Sequence, residues 1–487
     1  MGRGGRTRSG GAACLLVVGL AIAMLAWGPV SGQEPLSKAF DVRLGTRVLF
    51  LDDIGIERLN GLTRKLHQPA KRGAVLRSDH PEQVLQIRTA PIWDPDLGRY
   101  RLWVLGLENH LWESRDGLHW SPGPRPNLRT DMVVYDPHDP DPARRYKAPV
   151  LNEGFAVSPD GVQWTKLDLP KVESSDEGNF SFDATDRLFI HTVKRRGPNG
   201  RSLAIATSRN FRTWQDLGVV FHADDEDQKR GRAAIEARAA DATLHQTRYR
   251  DPAAYNVDVY NMGVFRYEGL YIGLPAMYHA TGPVPNYPNT DGFHLVQVAC
   301  SRDLKSWTRV GDRQPFLAPS RRDSGAYDLT QILPPSAPVV RGEELWFYYT
   351  GLKYRAAWTY SGTYPNGRYI PLPGLDRDAG AVCLAVLRRD GFVSLNAGET
   401  PGTVLTKPFL LPQGRLHVNL AAPEGSLRVA LCDAQGEPLP DLPESDELVG
   451  DRTSFPIPGR WEALQGRTVR LRFTLRRGDL YAYWFAR

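Results

Sequence analysis

The chain carries only four cysteines in 487 residues, and with Cys14 in an apolar leader Cys300, Cys383 and Cys432 remain. Three thiols close at most one internal bridge, so disulfides are excluded as the framework of the fold. The sequence also lacks a Cys-x-x-Cys pair and a close His/Cys set, which removes a structural zinc site. Beyond residue 27 there is no apolar run of the length needed to cross a bilayer. Charge of one sign is scarce too. The formal net charge of +6 falls to +3 without Arg3, Arg6 and Arg8 of the leader. So small an excess gives no general case for nucleic acid as partner. A serine-nucleophile motif, a P-loop and a dinucleotide fingerprint are absent as well.

What is present begins with an export signature. Three arginines and no acid precede an apolar run from Ala12 to Trp27, followed by the small-residue stretch Pro29–Gly32. This pattern predicts a signal peptide over 1–32, cut before Gln33, and a secreted or periplasmic protein. The alternative is an uncleaved anchor. The 38 prolines, 46 glycines and 12 tryptophans suit many short strands and tight turns.

One phrase recurs: SRDGLHW at Ser114–Trp120, SPDGVQW at Ser158–Trp164, SRNFRTW at Ser208–Trp214 and SRDLKSW at Ser301–Trp307. Its Ser and Asp/Asn suit bonds to turn backbone, and its Trp marks the return into packed structure. A weaker relative, VLRRDGFVSL at Val386–Leu395, offers Phe392 as the aromatic plug. The tryptophans are spaced by 44, 50 and 93 residues; the first two spacings fit one four-stranded blade each, and the third fits a blade with long insertions. Five matching strand pairs accompany the turns. The expected fold is all-β: a five-bladed β-propeller over 83–401, with a C-terminal β-sandwich over 402–487. An N-terminal extension, 33–82, partly completes the propeller, its strands near Phe40–Glu57 closing the last blade. The alternatives are a set of β-sandwiches, or a sixth blade and a tail in place of the C-terminal domain.

Inner strands of a propeller converge on its axis, so polar residues near their starts can share a pocket. The acidic candidates are Asp131, Asp183, Asp258 and Asp328, with Arg88 as a positive partner and Glu236, on the polar insertion 222–255, as a proton donor. Cleaving an acetal needs a proton for the leaving oxygen and an anion that attacks the anomeric carbon or activates water. Asp258 is assigned as nucleophile or base and Asp131 as the carboxylate that orients substrate. Glu236 is assigned as the acid, with Asp183 as the other candidate for that role. Asp224–Asp227 reads as a solvated acidic loop, with calcium as a minor alternative and no other cofactor expected. Tyr260, Tyr278, His279, Tyr354, Trp358 and Arg368 are the expected sugar-binding side chains, supported by Tyr287, His294, Tyr360, Tyr364 and Tyr369. Arg355 and Arg368 suit a carboxylate or sulfate on the glycan.

With LFLDDIGIERLNGLTRKLHQP near its start, the repeated turns, DVYNMGVFRYEGLYIGLPAMYH, and GRLHVNLAAPEGSLRVALCDAQGEPLP through LRFTLRRGDLYAYWF, the chain resembles the five-bladed propeller superfamily of glycoside hydrolase families 32 and 43. It looks closest to poorly characterised bacterial family-32-like proteins. The resemblance implies sugar chemistry at the axial funnel by an Asp nucleophile or base, a second Asp and a Glu acid. The family-32 phrase W-x-N-D-P-N-G and the usual Arg-Asp-Pro and Glu-Cys phrases are absent, and LDD at Leu51–Asp53 is only a loose positional analogue. Fructose specificity and individual catalytic residues are therefore not carried over. The expected activity is a glycoside hydrolase or transglycosylase acting on an oligo- or polysaccharide. A noncatalytic glycan-binding propeller, a phosphorylase, a lyase and a structural surface module are the competing readings.

Overall fold

The computed structural model describes residues 40–80, 83–284, 289–355, 378–459, 461 and 464–487. Five antiparallel sheets follow one another along the chain as the blades of a propeller. The first runs Ile92–Asp94, Arg99–Trp103, Leu111–Ser114 and Ser121–Pro122. The second runs Val134–Tyr135, Tyr146–Val150, Gly154–Ser158 and Thr165–Leu167. The third is Gly178–Asp183, Leu188–Gly197, Gly200–Ser208 and Gln215–Phe221. The fourth is built on Asn256–Tyr267, Leu270–Pro283, Ala299–Ser301 and Thr308–Arg309, with Thr290–Val296 added along its second strand. In the fifth the inner strand is split into Gln331–Leu333 and Val339–Arg341 around Pro334 and Pro335, which cannot donate to a ladder. Glu344–Leu352 and Gly380–Arg388 follow.

The repeated phrase is the turn between third and fourth strands in four blades. In each copy the Ser Oγ accepts the backbone N–H of the residue three on (Gly117, Gly161, Phe211 or Leu304) at 2.8–2.9 Å. The Asp or Asn Oδ1 accepts the next two N–H groups at 2.7–2.9 Å. These bonds hold a residue at positive φ, which Gly117 and Gly161 adopt freely and Phe211 and Leu304 adopt at 55° and 65°. The aromatic that ends the phrase packs between blades: Trp214 stacks on Phe155 of the preceding blade at 4.5 Å, and Trp120 meets Tyr348 of the fifth blade edge-on at 6.1 Å.

Apolar clusters fill all five seams. They join blades one and two around Trp103, Tyr146 and Trp164, and blades two and three around Phe155, Phe180 and Phe211. Blades three and four meet around Ile205, Val259 and Leu304, and blades four and five around Phe265, Phe347 and Phe392. The last seam joins the fifth blade to the first through Tyr348, Leu384, Leu102 and Val104.

Closure differs from expectation in its position along the chain. The strand that completes the fifth blade is Ala70–Arg77, paired with Gly380–Arg388. The earlier strands Val48–Leu49, Ile56–Asn60 and Thr63–Leu66 instead join a separate ten-stranded sheet with the C-terminal strands. They do so because Val42, Phe50 and Leu62 pack into the core of that sheet with Val404, Leu420 and Phe473. The fifth phrase is correspondingly a crossover. After Asp390, at φ 62°, the chain leaves the propeller for Val393–Ala397 of the ten-stranded sheet, while Phe392 fills the plug position against Tyr267 at 5.6 Å. This sheet curls on itself into the C-terminal β-sandwich.

The polar insertion holds the helix α1, Asp225–Ala240. Asp224 and Asp227 form its capping box and are paired with Arg313 and Arg309, so the acidic run is a pinned helix start rather than a solvated loop. Cys300, Cys383 and Cys432 are all buried and free. No helix among the described residues is long and apolar enough to cross a membrane.

Lys71 of the closing strand reaches Asp328 at 2.6 Å and Ser320 Oγ at 2.9 Å. Among the described residues, Lys71→Met would leave the buried Asp328 carboxylate with the Tyr349 hydroxyl as its one hydrogen-bond donor. The expected loss is about 2 kcal/mol, below that of a fully buried pair because the lysine is part-exposed. Denaturant unfolding of the two proteins measures it.

Candidate functional site

In each blade the first strand starts at one face of the ring, and the loop between the second and third strands returns to that face. Side chains that precede the inner strands of the first three blades meet at the axis. Arg88 comes from the first blade, Asp131 from the second and Glu177 from the third. Arg88 is buried and forms an ion pair with Glu177 and a 2.7 Å bond to Gln86. Its backbone carbonyl accepts the Asn179 side-chain amide at 2.6 Å. Asp131 acts on Arg88 through its charge from beyond ion-pair distance. Burial raises the Asp131 pKa above the ordinary carboxylate value, and the Arg88 charge opposes that rise.

The fourth blade supplies an aromatic wall. Asp258, Tyr278 and His294 stand opposite one another across three strands, with Tyr260 in the irregular register beside Asp258. The Tyr260 ring lies 4.6 Å from His294 and 6.0 Å from Tyr278. Cations cover this wall. The Lys194 ammonium stands 4.1 Å from the centre of the Tyr260 ring, and the Arg201 guanidinium lies 4.8 Å from Tyr260 and 4.5 Å from Tyr278. Arg355 is 5.5 Å from Tyr260 and donates to the Tyr278 hydroxyl at 3.2 Å. Arg201 also binds Asp258 Oδ2 at 2.8 Å, and Lys194 binds Asp176 at 2.7 Å. Burial brings the Lys194 pKa down to about 8. Burial, and then the Arg355 charge, puts the His294 pKa well below its usual value, which leaves the imidazole neutral.

Arg88, Asp131, Asp258, Tyr260 and Tyr278 are thus brought together, with Tyr278 fully buried behind the arginines. Three acidic candidates lie elsewhere. Asp183 ends its strand at the opposite face, where its Oδ1 accepts the N–H groups of Thr185 and Asp186 in the turn and Tyr271 donates to its other oxygen. Asp328 is the buried partner of Lys71 and Tyr349 that ties the closing strand to the fifth blade. Glu236 is solvent-exposed on α1, because the helix turns Ile235 and Arg238 inward instead. His279 follows Tyr278 on a strand, so it faces the other way. It stacks on Phe293 at 4.9 Å beneath α1, and burial brings its pKa to about 4. Tyr354 is half-buried against His245 at 5.0 Å. Trp358 and Arg368, like Tyr287, Tyr360, Tyr364 and Tyr369, lie outside the described residues. Among the described residues no group of three His, Cys, Asp or Glu side chains is placed to hold a metal ion.

Glu177, Lys194, Arg201 and Asn261 were not singled out from the sequence. Glu177 had a signal, since it directly precedes an inner strand, as Arg88 and Asp131 lie a few residues ahead of theirs. Lys194 and Arg201 sit on the long hairpin of the third blade, where only packing shows that they turn toward Tyr260.

No family model matches the chain, and no curated protein matches it. Solved glycoside hydrolases of family 32 are among its structural neighbours. One is a β-fructofuranosidase from Bombyx mori, 9% identical over 86% of this chain and 94% of the other, with a TM-score of 0.34. A β-fructofuranosidase from Schwanniomyces occidentalis is 11% identical over 85% and 97% of the two chains, with a TM-score of 0.36. An N-acetylgalactosamine deacetylase from F. plautii, solved with blood group B trisaccharide, is 14% identical over 68% and 97%, also with a TM-score of 0.36. The functional reading rests on the residues of this chain.

A carboxyl whose pKa is raised on folding binds its proton more tightly in the native state, so its ionisation removes stability as pH rises above the unfolded value. Asp131→Asn is therefore expected to raise the Tm at pH 7 by about 1–2 °C. The gain should vanish below the ordinary carboxylate range. Calorimetry across pH checks both the sign and the window.

Proposed function

We propose that this protein cleaves a glycan at the axial funnel by acid/base chemistry on carboxyl groups. The observation that carries this reading is the placing of two carboxyls from adjacent blades about one buried cation, Arg88: Glu177 in a direct ion pair, and Asp131 acting through its charge from beyond ion-pair distance. The two carboxyls have different surroundings. Burial favours the protonated form of Asp131, whereas Glu177 is paired with Arg88 and has Lys194 at 3.6 Å from its other oxygen. Such a split suits an acid and an anion working on one acetal. Asp131 gives its proton to the leaving oxygen, and Glu177 serves as the anionic partner. Asp258, tied to Arg201, orients substrate on the Tyr260 wall. This reassigns the acid from Glu236 to Asp131 and the anion from Asp258 to Glu177.

Arg88, Lys194, Arg201 and Arg355 around Tyr260 favour a sugar that bears a carboxylate or sulfate. A noncatalytic glycan-binding propeller is the second reading, and the ion pairs already made by Glu177 and Asp258 favour it.

A glycan screen that includes polyuronates and sulfated polymers separates the two. Cleavage by the parent, with kcat reduced about 100-fold or more in both Asp131→Asn and Glu177→Gln, is the expected outcome. Binding without cleavage supports the second reading, and unchanged turnover in the variants removes the assigned roles.

A further inference from the structure

The face of the propeller opposite the funnel carries a second constellation, at the foot of the seam between the fifth and first blades. Three turns meet there: the hairpins 94–99 and 341–344 and the phrase turn 114–120. Arg341 joins them. It donates to the Asp116 carbonyl at 2.6 Å, and its guanidinium lies 4.2 Å from the Trp346 ring and 5.8 Å from the Tyr100 ring. Tyr100 in turn meets Trp93 edge-on at 4.9 Å. The outer rung of this ladder is open. Trp93 is 46% exposed, the one exposed tryptophan among the described residues. Unlike the tryptophans that end the repeated phrase, it fills no seam. Leu97, Leu118 and Val340, on or beside the same three turns, are exposed as well.

Beside the ladder is a hollow of about 400 Å³, lined by Arg99, Glu113, Arg115, Asp116, His119 and two serines. Its size falls in the range of small-ligand sites. Arg99 adjoins Tyr100 on the strand, and Asp116 is the residue whose carbonyl Arg341 holds. The charges are balanced. Glu113 accepts from Arg99 at 2.7 Å, Asp116 lies 2.7 Å from His119 Nδ1, and Arg115 makes no ion pair among the described residues. Two guanidiniums thus stand with two carboxylates, in contrast to the cation-rich wall at Tyr260. Aromatic rings cover the C–H faces of a sugar, while carboxylates accept from its hydroxyls and guanidiniums donate to them. A hollow without net charge suits hydroxyls, which are donors and acceptors at once, and offers no surplus attraction to an anion.

We propose that this end of the first blade is a second glycan-binding site, remote from the funnel and selective for neutral sugars. One sugar ring rests on Trp93, which Tyr100 holds in place, and the hydroxyls of its neighbour enter the hollow between Arg115 and Asp116. The site anchors a polysaccharide on the face away from the funnel, so it stands whether or not the funnel cleaves.

Isothermal titration calorimetry with soluble arabinan, galactan, glucomannan and levan tests this, with polygalacturonate alongside. At least one of the four neutral polymers should bind the parent. Trp93→Ala should weaken that binding about 10-fold or more. Arg115→Ala should weaken it about 3-fold. Polygalacturonate should show no affinity that depends on Trp93. Should Trp93→Ala fail to fold, Arg115→Ala, on an exposed turn, carries the test. No binding of any neutral polymer, binding that both variants leave intact, or a Trp93-dependent preference for polygalacturonate overturns the proposal. Sedimentation velocity checks the other occupant of such a face: a parent dimer that becomes a monomer in Trp93→Ala assigns the surface to a second copy of the chain and overturns the proposal too.

Discussion

Everything at the axis depends on closure of the ring, and closure depends on a strand distant in sequence from the blade it completes. Ala70–Arg77 pairs with Gly380–Arg388, so a strand that precedes the first blade is hydrogen-bonded to the last blade. Without this pairing the fifth sheet would present a bare edge of backbone groups, and the seam of Tyr348 and Leu384 with Leu102 and Val104 would have nothing to hold it. The Lys71–Asp328 pair adds a charged contact at the same place. The strands just before and just after the ring then enter one further sheet, so the β-sandwich braces the point of closure.

Closure matters to the chemistry because no single blade contains the site. Arg88, Asp131 and Glu177 come from three consecutive blades, and the aromatic wall comes from a fourth. Their spacing is set by the packing of the seams, and rigid packing is what holds a buried guanidinium against Glu177 with the Asp131 charge nearby. Burial acts unequally on these groups. It raises the Asp131 pKa and lowers that of Lys194, and it leaves His294 neutral among arginines. These differences are properties of the assembled funnel rather than of any residue type.

The recurring phrase of Ser followed two residues later by Asp or Asn was legible in the sequence because the bonds that make that turn are local, spanning only two or three residues. Its aromatic plugs were legible for a related reason, since each must fill the seam beside its own turn. Even Phe392, in the weakest copy, fills that position. The acidic candidates fared differently. Asp131 and Asp183 both lie close to a blade's inner strand, one before its start and the other at its end. A strand carries these two positions to opposite faces of the ring, so the nearby Glu177, and not Asp183, reaches the axis. Glu236 was placed by reading polarity along an insertion. Its exposure is decided by which side of α1 packs on the fourth blade.

The sequence by itself determined the class of fold, the number of blades and the turn chemistry, because these follow from periodicity and short-range hydrogen bonding. Tertiary structure alone decided which strand closes the ring, which carboxylates meet at Arg88 and which, like Asp328, serve as structural ties. Those outcomes depend on contacts between residues tens to hundreds of positions apart, and only the packing of one blade against the next sets such distances.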